Sequence, residues 1–230
     1  MSNRYVFIYA SVMVIVVALV LSTAATLLRP LQERNMRIEK MQNILSTIGI
    51  PAPRSQAIEL FEQYIQVSKV LNHLGEEIEG DAFEVDLQEE NRKPLEQRQL
   101  PLFIAEVQGE LFYIVPVRGN GLWGPIWGFL SFRDDMTTIA GANFDHASET
   151  PGLGAEISDP PFQQQFIGKR IFDDAGQFRP VVVIRGGARP DDPHGVDAIS
   201  GGTITSNGVT AMLRNGLEVY KPYFEKKKTL

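Results

Sequence analysis

The chain has 230 residues, no cysteine, and 22 Lys and Arg against 28 Asp and Glu, a net charge of −6. That length suits one domain with a sizeable core beside any anchor. The acidic balance offers no basic surplus, so no nucleic-acid partner is expected, and the missing cysteines exclude disulfides, thiol catalysis, iron–sulfur clusters and cysteine-based zinc sites.

Tyr5 to Leu28 carries no charged side chain. About 24 residues at about 1.5 Å each give about 36 Å of helix, enough to cross a hydrocarbon core of about 30 Å. A cleaved signal peptide is the competing reading, because Ser22-Thr-Ala-Ala25 are small residues. A signal's apolar region is only about 7–15 residues long, however, and here the run continues to Leu28. The expectation is an uncleaved single span within residues 1–30, followed by a soluble domain over 31–230. Arg4 precedes the span and Arg29, Arg34 and Arg37 follow it. A following segment this long translocates largely regardless of charge, so the arginines leave the orientation open.

Met36, Ile38, Met41, Ile44, Leu45 and Ile48 predict a helix over Leu31–Ile48, ended by Gly49-Ile-Pro51-Ala-Pro53. A second helix is expected over Ser55–Leu74, with Gly75 as its stop. Ala82–Leu87 alternates as a strand, and Glu89–Gln99 reads as a charged, mobile loop. Leu102–Val107 and Leu111–Val117 form a predicted hairpin around Gln108-Gly109, followed by strands at Trp127–Phe132 and Thr137–Asn143. A short helix at Pro160–Phe166, a strand at Val181–Arg185 and a closing helix at Asn207–Tyr220 complete the reading. The fold class is α+β: one N-terminal transmembrane helix, a helical lead-in, then a mixed domain.

Gly119-Asn-Gly121-Leu-Trp-Gly124 matches the spacing of a dinucleotide-binding turn. Such a turn must open a helix, and here Pro125 and an aromatic strand follow, so that reading is rejected. Leu122, Trp123 and Trp127 nevertheless offer apolar faces to a flat heterocycle. Glu149-Thr-Pro-Gly-Leu-Gly154 contains the Pro-Gly pair of a type II turn, and its amides and the Thr150 hydroxyl suit a heterocycle edge, with Leu153 packing on the ring. His73, His146 and His194 lack metal-ligand spacing, and there is no nucleophile elbow or P-loop. No catalytic side chain and no metal site are expected; the chemistry belongs to a bound cofactor.

The richest stretch is Asp197-Ala-Ile-Ser-Gly-Gly-Thr-Ile-Thr-Ser-Asn-Gly208. Its glycines allow a tight turn, and Thr205, Ser206 and Asn207 are good N-cap types for the last helix. The amides and dipole of that helix end favour a phosphate, and the Thr203 hydroxyl is placed to hold or carry one. A plain Gly-rich capping turn is the simpler alternative.

These motifs in this order resemble the FMN-binding domain family, to which one subunit of the Na⁺-translocating NADH:quinone oxidoreductase and one of the Rnf electron-transport complex belong. The resemblance rests on Leu31-Gln32 through Asn43-Ile-Leu45, Gly121-Leu-Trp-Gly124, Glu149–Gly154, Arg185-Gly-Gly-Ala188 and Asp197–Gly208. The long lead-in and Gly121-Leu-Trp123 favour the Na⁺-translocating branch; the alternatives are the Rnf counterpart or an anchored binding module without flavin. The resemblance implies FMN joined through its phosphate to Thr203 by a separate flavin transferase, with Ser200, Gly201 and Gly202 supporting the loop. This chain has Gly202 where the family usually has alanine. Leu122, Trp123, Glu149, Thr150 and Leu153 would line the flavin, with Arg185 as a nearby positive charge. It further implies a single-pass subunit of a bacterial inner-membrane respiratory complex with its soluble part periplasmic. Electrons would pass from NADH toward ubiquinone, coupled to Na⁺ export, with the NADH, quinone and Na⁺ sites on partner subunits.

Overall fold

The computed structural model describes residues 3–228. They divide into two units between Lys40 and Met41. The first consists of helix α1, Asn3–Ser46, as far as Lys40. Its most apolar 18-residue window has a mean hydropathy of 2.6 and no buried side chain, so it is long and apolar enough to cross a membrane. The span expected within residues 1–30 and the helix expected over Leu31–Ile48 are one continuous helix, which runs through Pro30. Proline removes the one hydrogen bond its own amide would make, and a helix of this length keeps the bonds on either side.

The second unit is built on a six-stranded antiparallel sheet in the order β2-β1-β3-β4-β5-β6. Its strands are β1 (Ile65–Leu71), β2 (Glu77–Ile78), β3 (Leu100–Val107), β4 (Glu110–Asn120), β5 (Pro125–Arg133) and β6 (Ile139–His146). The expected hairpin is β3–β4, where Gln108 and Gly109 both take positive φ, 54° and 84°, as a tight two-residue turn requires. β6 starts later than expected because Asp135 accepts from the amides of Thr137 and Thr138 and holds them in a turn.

Two expected elements are corrected. The helix expected over Ser55–Leu74 is only α2, Ala57–Tyr64, and the chain then turns into β1, which pairs with β3. Ile65 stands four residues after Phe61, at helical spacing, but Ile65, Val67 and Val70 are β-branched and suit a half-buried strand. No strand forms at Ala82–Leu87. Asp81 and Asp86 each accept a backbone hydrogen bond from two residues on, from Phe83 and Gln88, which replaces a ladder with turns. Asp86 thereby caps α3, Leu87–Glu90, which runs from the end of the expected strand into the expected loop.

Period-2 alternation sends neighbouring strand residues to opposite faces of the sheet. Ile114, Phe103 and Phe129 pack with Met41, Ile44, Leu45 and Phe61 on one face. Tyr113, Val115, Val117, Leu130 and Phe132 belong to the other core, beneath the C-terminal elements. Those elements are α4 (Pro160–Gln163, continuing as a 3-10 turn to Phe166), the parallel pair β7 (Val182–Ile184) and β8 (Gly195–Asp197), α5 (Thr203–Glu218) and α6 (Lys221–Lys228). α5 packs on β4 at close range. A Cβ on Gly119 would lie 2.7 Å from the Met212 Cβ, and one on Gly208 would collide with the Asn120 carbonyl oxygen. The architecture is α+β, with the last long helix laid against the centre of the sheet.

Candidate cofactor site

α5 begins at Thr203, four residues before the expected start, and Gly202 is its N-cap with no side-chain cap hydrogen bond. The first-turn amides have no intrahelical acceptor, as at any helix start. Thr205 and Ser206, expected as caps, lie buried inside the helix. The Thr205 hydroxyl donates to Oε2 of Glu149 at 2.6 Å, and the Ser206 Oγ accepts from the Ile199 amide at 3.2 Å. One turn on, the Thr210 Oγ1 accepts from the Val183 amide at 2.9 Å. These hydroxyls are spent on neighbouring segments, so the helix end stays open.

Glu149 is the centre of the arrangement. It is 5% exposed, and while Oε2 takes the Thr205 hydroxyl, Oε1 takes the Trp123 amide at 2.8 Å. A buried carboxylate is tolerated only when its oxygens are hydrogen-bonded, and both are. The Trp123 carbonyl accepts from the Ser148 hydroxyl at 3.0 Å, so the β4–β5 turn is held from both sides. Gly121 and Gly154 lie directly against the carboxyl group, where a Cβ on either would overlap it.

Thr150-Pro-Gly-Leu153 forms the expected turn, with Gly152 at φ 73° and the Leu153 amide donating to the Thr150 carbonyl at 3.1 Å. Leu153 reaches the loop before α5, where a Cβ on Gly201 (φ 73°) would lie 2.5 Å from its Cδ2. A Cβ on Gly202 would meet Ile199 Cγ2 at 3.0 Å, so glycine at this position suits the Ile199 of this chain.

The structure thus brings Leu122, Trp123, Glu149, Leu153, Gly201, Gly202 and Thr203 into one neighbourhood. Leu122, Trp123 and Leu153 are 48%, 64% and 40% exposed, an apolar rim around a polar, buried hub. Ile204 is exposed beside them and went unread in the sequence. Thr150 and Ser200 are exposed on the two loops. Arg185 is exposed just beyond β7 and makes no ion pair among the described residues. Ile184 pairs with Asp197, so Arg185 leaves the same end of the parallel pair as the loop leading into α5. Asp197 accepts from the Ala188 amide at 2.7 Å and ties the Arg185-Gly-Gly turn to that loop. The roles of Thr205, Ser206 and Thr210 were also missed. Ser206 and Thr210, four apart beside the buried Val209 and Leu213, lie along one side of the helix, a pattern that points to tertiary bonds rather than caps.

An open helix N-terminus carrying a hydroxyl, beside an apolar rim, fits a phosphate joined to a flat ring. Residues 121–218 match the family model for the FMN-binding domain, which sets the class. The corresponding subunit of the Na⁺-translocating NADH-quinone reductase from Vibrio vulnificus, NqrC, is 33% identical over 213 residues, covering 85% of this chain and 83% of that protein. The Haemophilus ducreyi counterpart is 29% identical over 233 residues, covering 93% and 90%. The crystal structure of the Parabacteroides distasonis counterpart superimposes with a TM-score of 0.80 at 43% identity, covering 86% of this chain and 96% of that one. The Shewanella oneidensis NqrC structure gives a TM-score of 0.74 at 26% identity, covering 84% and 98%. The chain belongs to the NqrC family of the Na⁺-translocating NADH-quinone reductases.

Proposed function

We propose that this protein is a membrane-anchored, flavinylated subunit of a Na⁺-translocating NADH:quinone reductase, with FMN bound as a phosphoester to Thr203. Residues 1–30 form the anchor in the bacterial inner membrane, and residues 31–230 form the FMN-binding domain on the periplasmic side. Other subunits supply the NADH, quinone and Na⁺ sites, and a separate flavin transferase installs the FMN.

The observation that carries this reading is the partly exposed Thr203 at the first position of an uncapped helix, within the reach of an exposed apolar rim. The first-turn amides and helix dipole favour the remaining phosphate charge. Leu122, Trp123 and Leu153 are the apolar surfaces available to the ring, and Arg185 is a cation without an ion pair on the adjoining loop among the described residues. When bound, FMN supplies the one- and two-electron chemistry that no side chain here supplies. The chain's own contribution is position: Glu149 fixes the ring-side turn to α5, and the ester keeps the cofactor from leaving. Electrons then pass through the site from NADH toward ubiquinone, and the complex couples this passage to Na⁺ export.

The test is the intact mass of the protein purified from its native membrane. A gain of one FMN less one water, localised by fragmentation to Thr203, is the expected result. An unmodified mass from cells with an active flavin transferase would favour the anchored binding module instead.

A further inference from the structure

A groove of about 920 Å³ runs along α5, separate from the rim around Thr203. Its floor is one helix face, from Gly208 through Ala211, Met212, Asn215 and Gly216 to Val219, residues three and four apart. At about 1.5 Å per residue that stripe is about 17 Å long. The end of β4 forms one wall and the segment 88–98 the other.

Three guanidiniums, Arg92, Arg98 and Arg118, line this groove, against Glu218 as the one lining carboxylate. None of the three is ion-paired among the described residues. Two are nevertheless held in place. Arg98 donates to the carbonyls of Lys93 and Asn91 at 3.0 and 3.1 Å. Arg118 donates to Gln88 Oε1 at 2.8 Å and lies 5.9 Å from the centre of the Trp127 ring. Their acceptors are neutral, so their orientation is set while their charge stays uncompensated.

The outer wall is fixed by a buried acid. Glu90 is 5% exposed and accepts from Lys93 Nζ at 2.7 Å and from the Gln99 amide at 2.9 Å, which staples the segment into a closed loop. In a chain of net charge −6 this groove is a local reversal of sign. Charge complementarity of that kind selects partners and sets register.

We propose that the groove docks an extended, carboxylate-rich segment of a neighbouring protein of the complex. About 17 Å accommodates about five residues of extended chain at about 3.3 Å each, far more than a single phosphate group needs. The side-chain amides of Asn91, Asn120 and Asn215 line the groove and suit main-chain donors and acceptors. The groove ends where Gly208 meets Asn120, and a Cβ on Gly208 would be 3.4 Å from the Gly121 Cα. A segment seated there therefore lies beside the Leu122-Trp123 turn, which couples docking to the cofactor site. The identity of the partner as a member of the complex rests on the function proposed above; the sign and shape of the groove do not.

The experiment places the photoreactive p-benzoyl-phenylalanine at position 215 in the detergent-purified complex and identifies the cross-linked peptide by mass spectrometry. The expected product is an adduct with an acidic segment of another subunit. Its yield should fall about tenfold in the Arg92→Glu/Arg118→Glu protein and be retained in Arg92→Lys/Arg118→Lys. It should also fall as salt rises from about 0.1 M to about 1 M, where the screening length shrinks from about 10 Å to about 3 Å. No adduct, an adduct with lipid, with a second copy of this chain or with a segment lacking acids, or a yield indifferent to charge reversal, would overturn the proposal. In-gel flavin fluorescence of the same sample reads the covalent cofactor independently. A missing flavin with an intact adduct defeats the cofactor reading alone, and the converse defeats the docking alone.

Discussion

The hydroxyl of Thr205 donates to the buried carboxylate of Glu149 across 56 positions of sequence, at 2.6 Å. With the Trp123 amide on its other oxygen, that carboxylate joins the β4–β5 turn, the Pro-Gly turn and the first turn of α5. Replacing Thr205 by valine keeps the shape and removes the donor. Leaving a buried acceptor short of a partner costs about 1–3 kcal/mol. Urea unfolding of Thr205→Val should show a loss of that size, with Thr205→Ser close to wild type and flavin still on residue 203. Flavin lost from Thr205→Val but kept in Thr205→Ser and Thr203→Ala would mean that Thr205, not Thr203, is the attachment residue.

Thr203 is only partly buried at the first position of α5, and its hydroxyl makes no hydrogen bond among the described residues. Thr203→Ala should therefore differ in stability from the unflavinylated wild-type protein by no more than about 0.5 kcal/mol, typical of a surface substitution. Its band should lose fluorescence under ultraviolet light after denaturing electrophoresis. Fluorescence that persists on the band would refute the phosphoester at this residue.

Trp123 is 64% exposed, and its fixed part is the backbone, held by Glu149 and Ser148. Trp123→Ala should leave the melting temperature nearly unchanged and flavin attachment intact. The bound flavin should become more fluorescent once the indole face is gone, because a ring stacked on it is quenched. Identical emission from the two proteins would place the ring away from this turn.

Gly208 packs α5 against the end of β4 with no room for a side chain. An added methyl would fall on the Asn120 carbonyl, and overpacking of this kind costs about 1–3 kcal/mol. Gly208→Ala should melt earlier even though alanine is the better helix former. A higher melting temperature would show that the helix can slide off the strand at no cost.

Partial burial pushes the Asp135 carboxyl up, but the Thr138 hydroxyl and the amides of Thr138 and Thr137, aided by Lys228, outweigh it and hold the group below the usual carboxylate range. A carboxyl depressed in the folded state stabilises the protein above its unfolded value, about 3.9, and that contribution is lost as pH falls through the folded value. Asp135→Asn should accordingly melt below wild type at neutral pH, with the gap closing in acid. A gap that stays constant into acid would assign the difference to packing instead of charge.

The parts of the fold read correctly were those whose signal is local. The β3–β4 hairpin is announced by alternation on both sides of Gln108-Gly109, and the membrane-length helix by an uninterrupted apolar run. β1 was lost because Ile65, four residues after Phe61, continues the helical pattern of α2, and pairing with β3, some 35 positions on in the register of Ser68 with Phe103, decides for the strand. In the site, glycines and turn residues were legible from type alone. Thr205 and Ser206 were not, since a hydroxyl near a helix start serves equally well as a cap or as a tertiary donor. The choice is made by Glu149 and Ile199, which no local window contains.

On the phosphoester proposed at Thr203, the missing cap on α5 bears on how the protein would mature. Most helices carry the residue that finishes their first turn, and here the gene leaves that position to glycine. A phosphoryl group on Thr203 would complete the turn, so the enzyme that attaches it would write the last letter of the secondary structure. The freshly made chain and the finished one would then differ in fold stability as well as colour, and a cell short of flavin would accumulate a looser protein for its proteases to find.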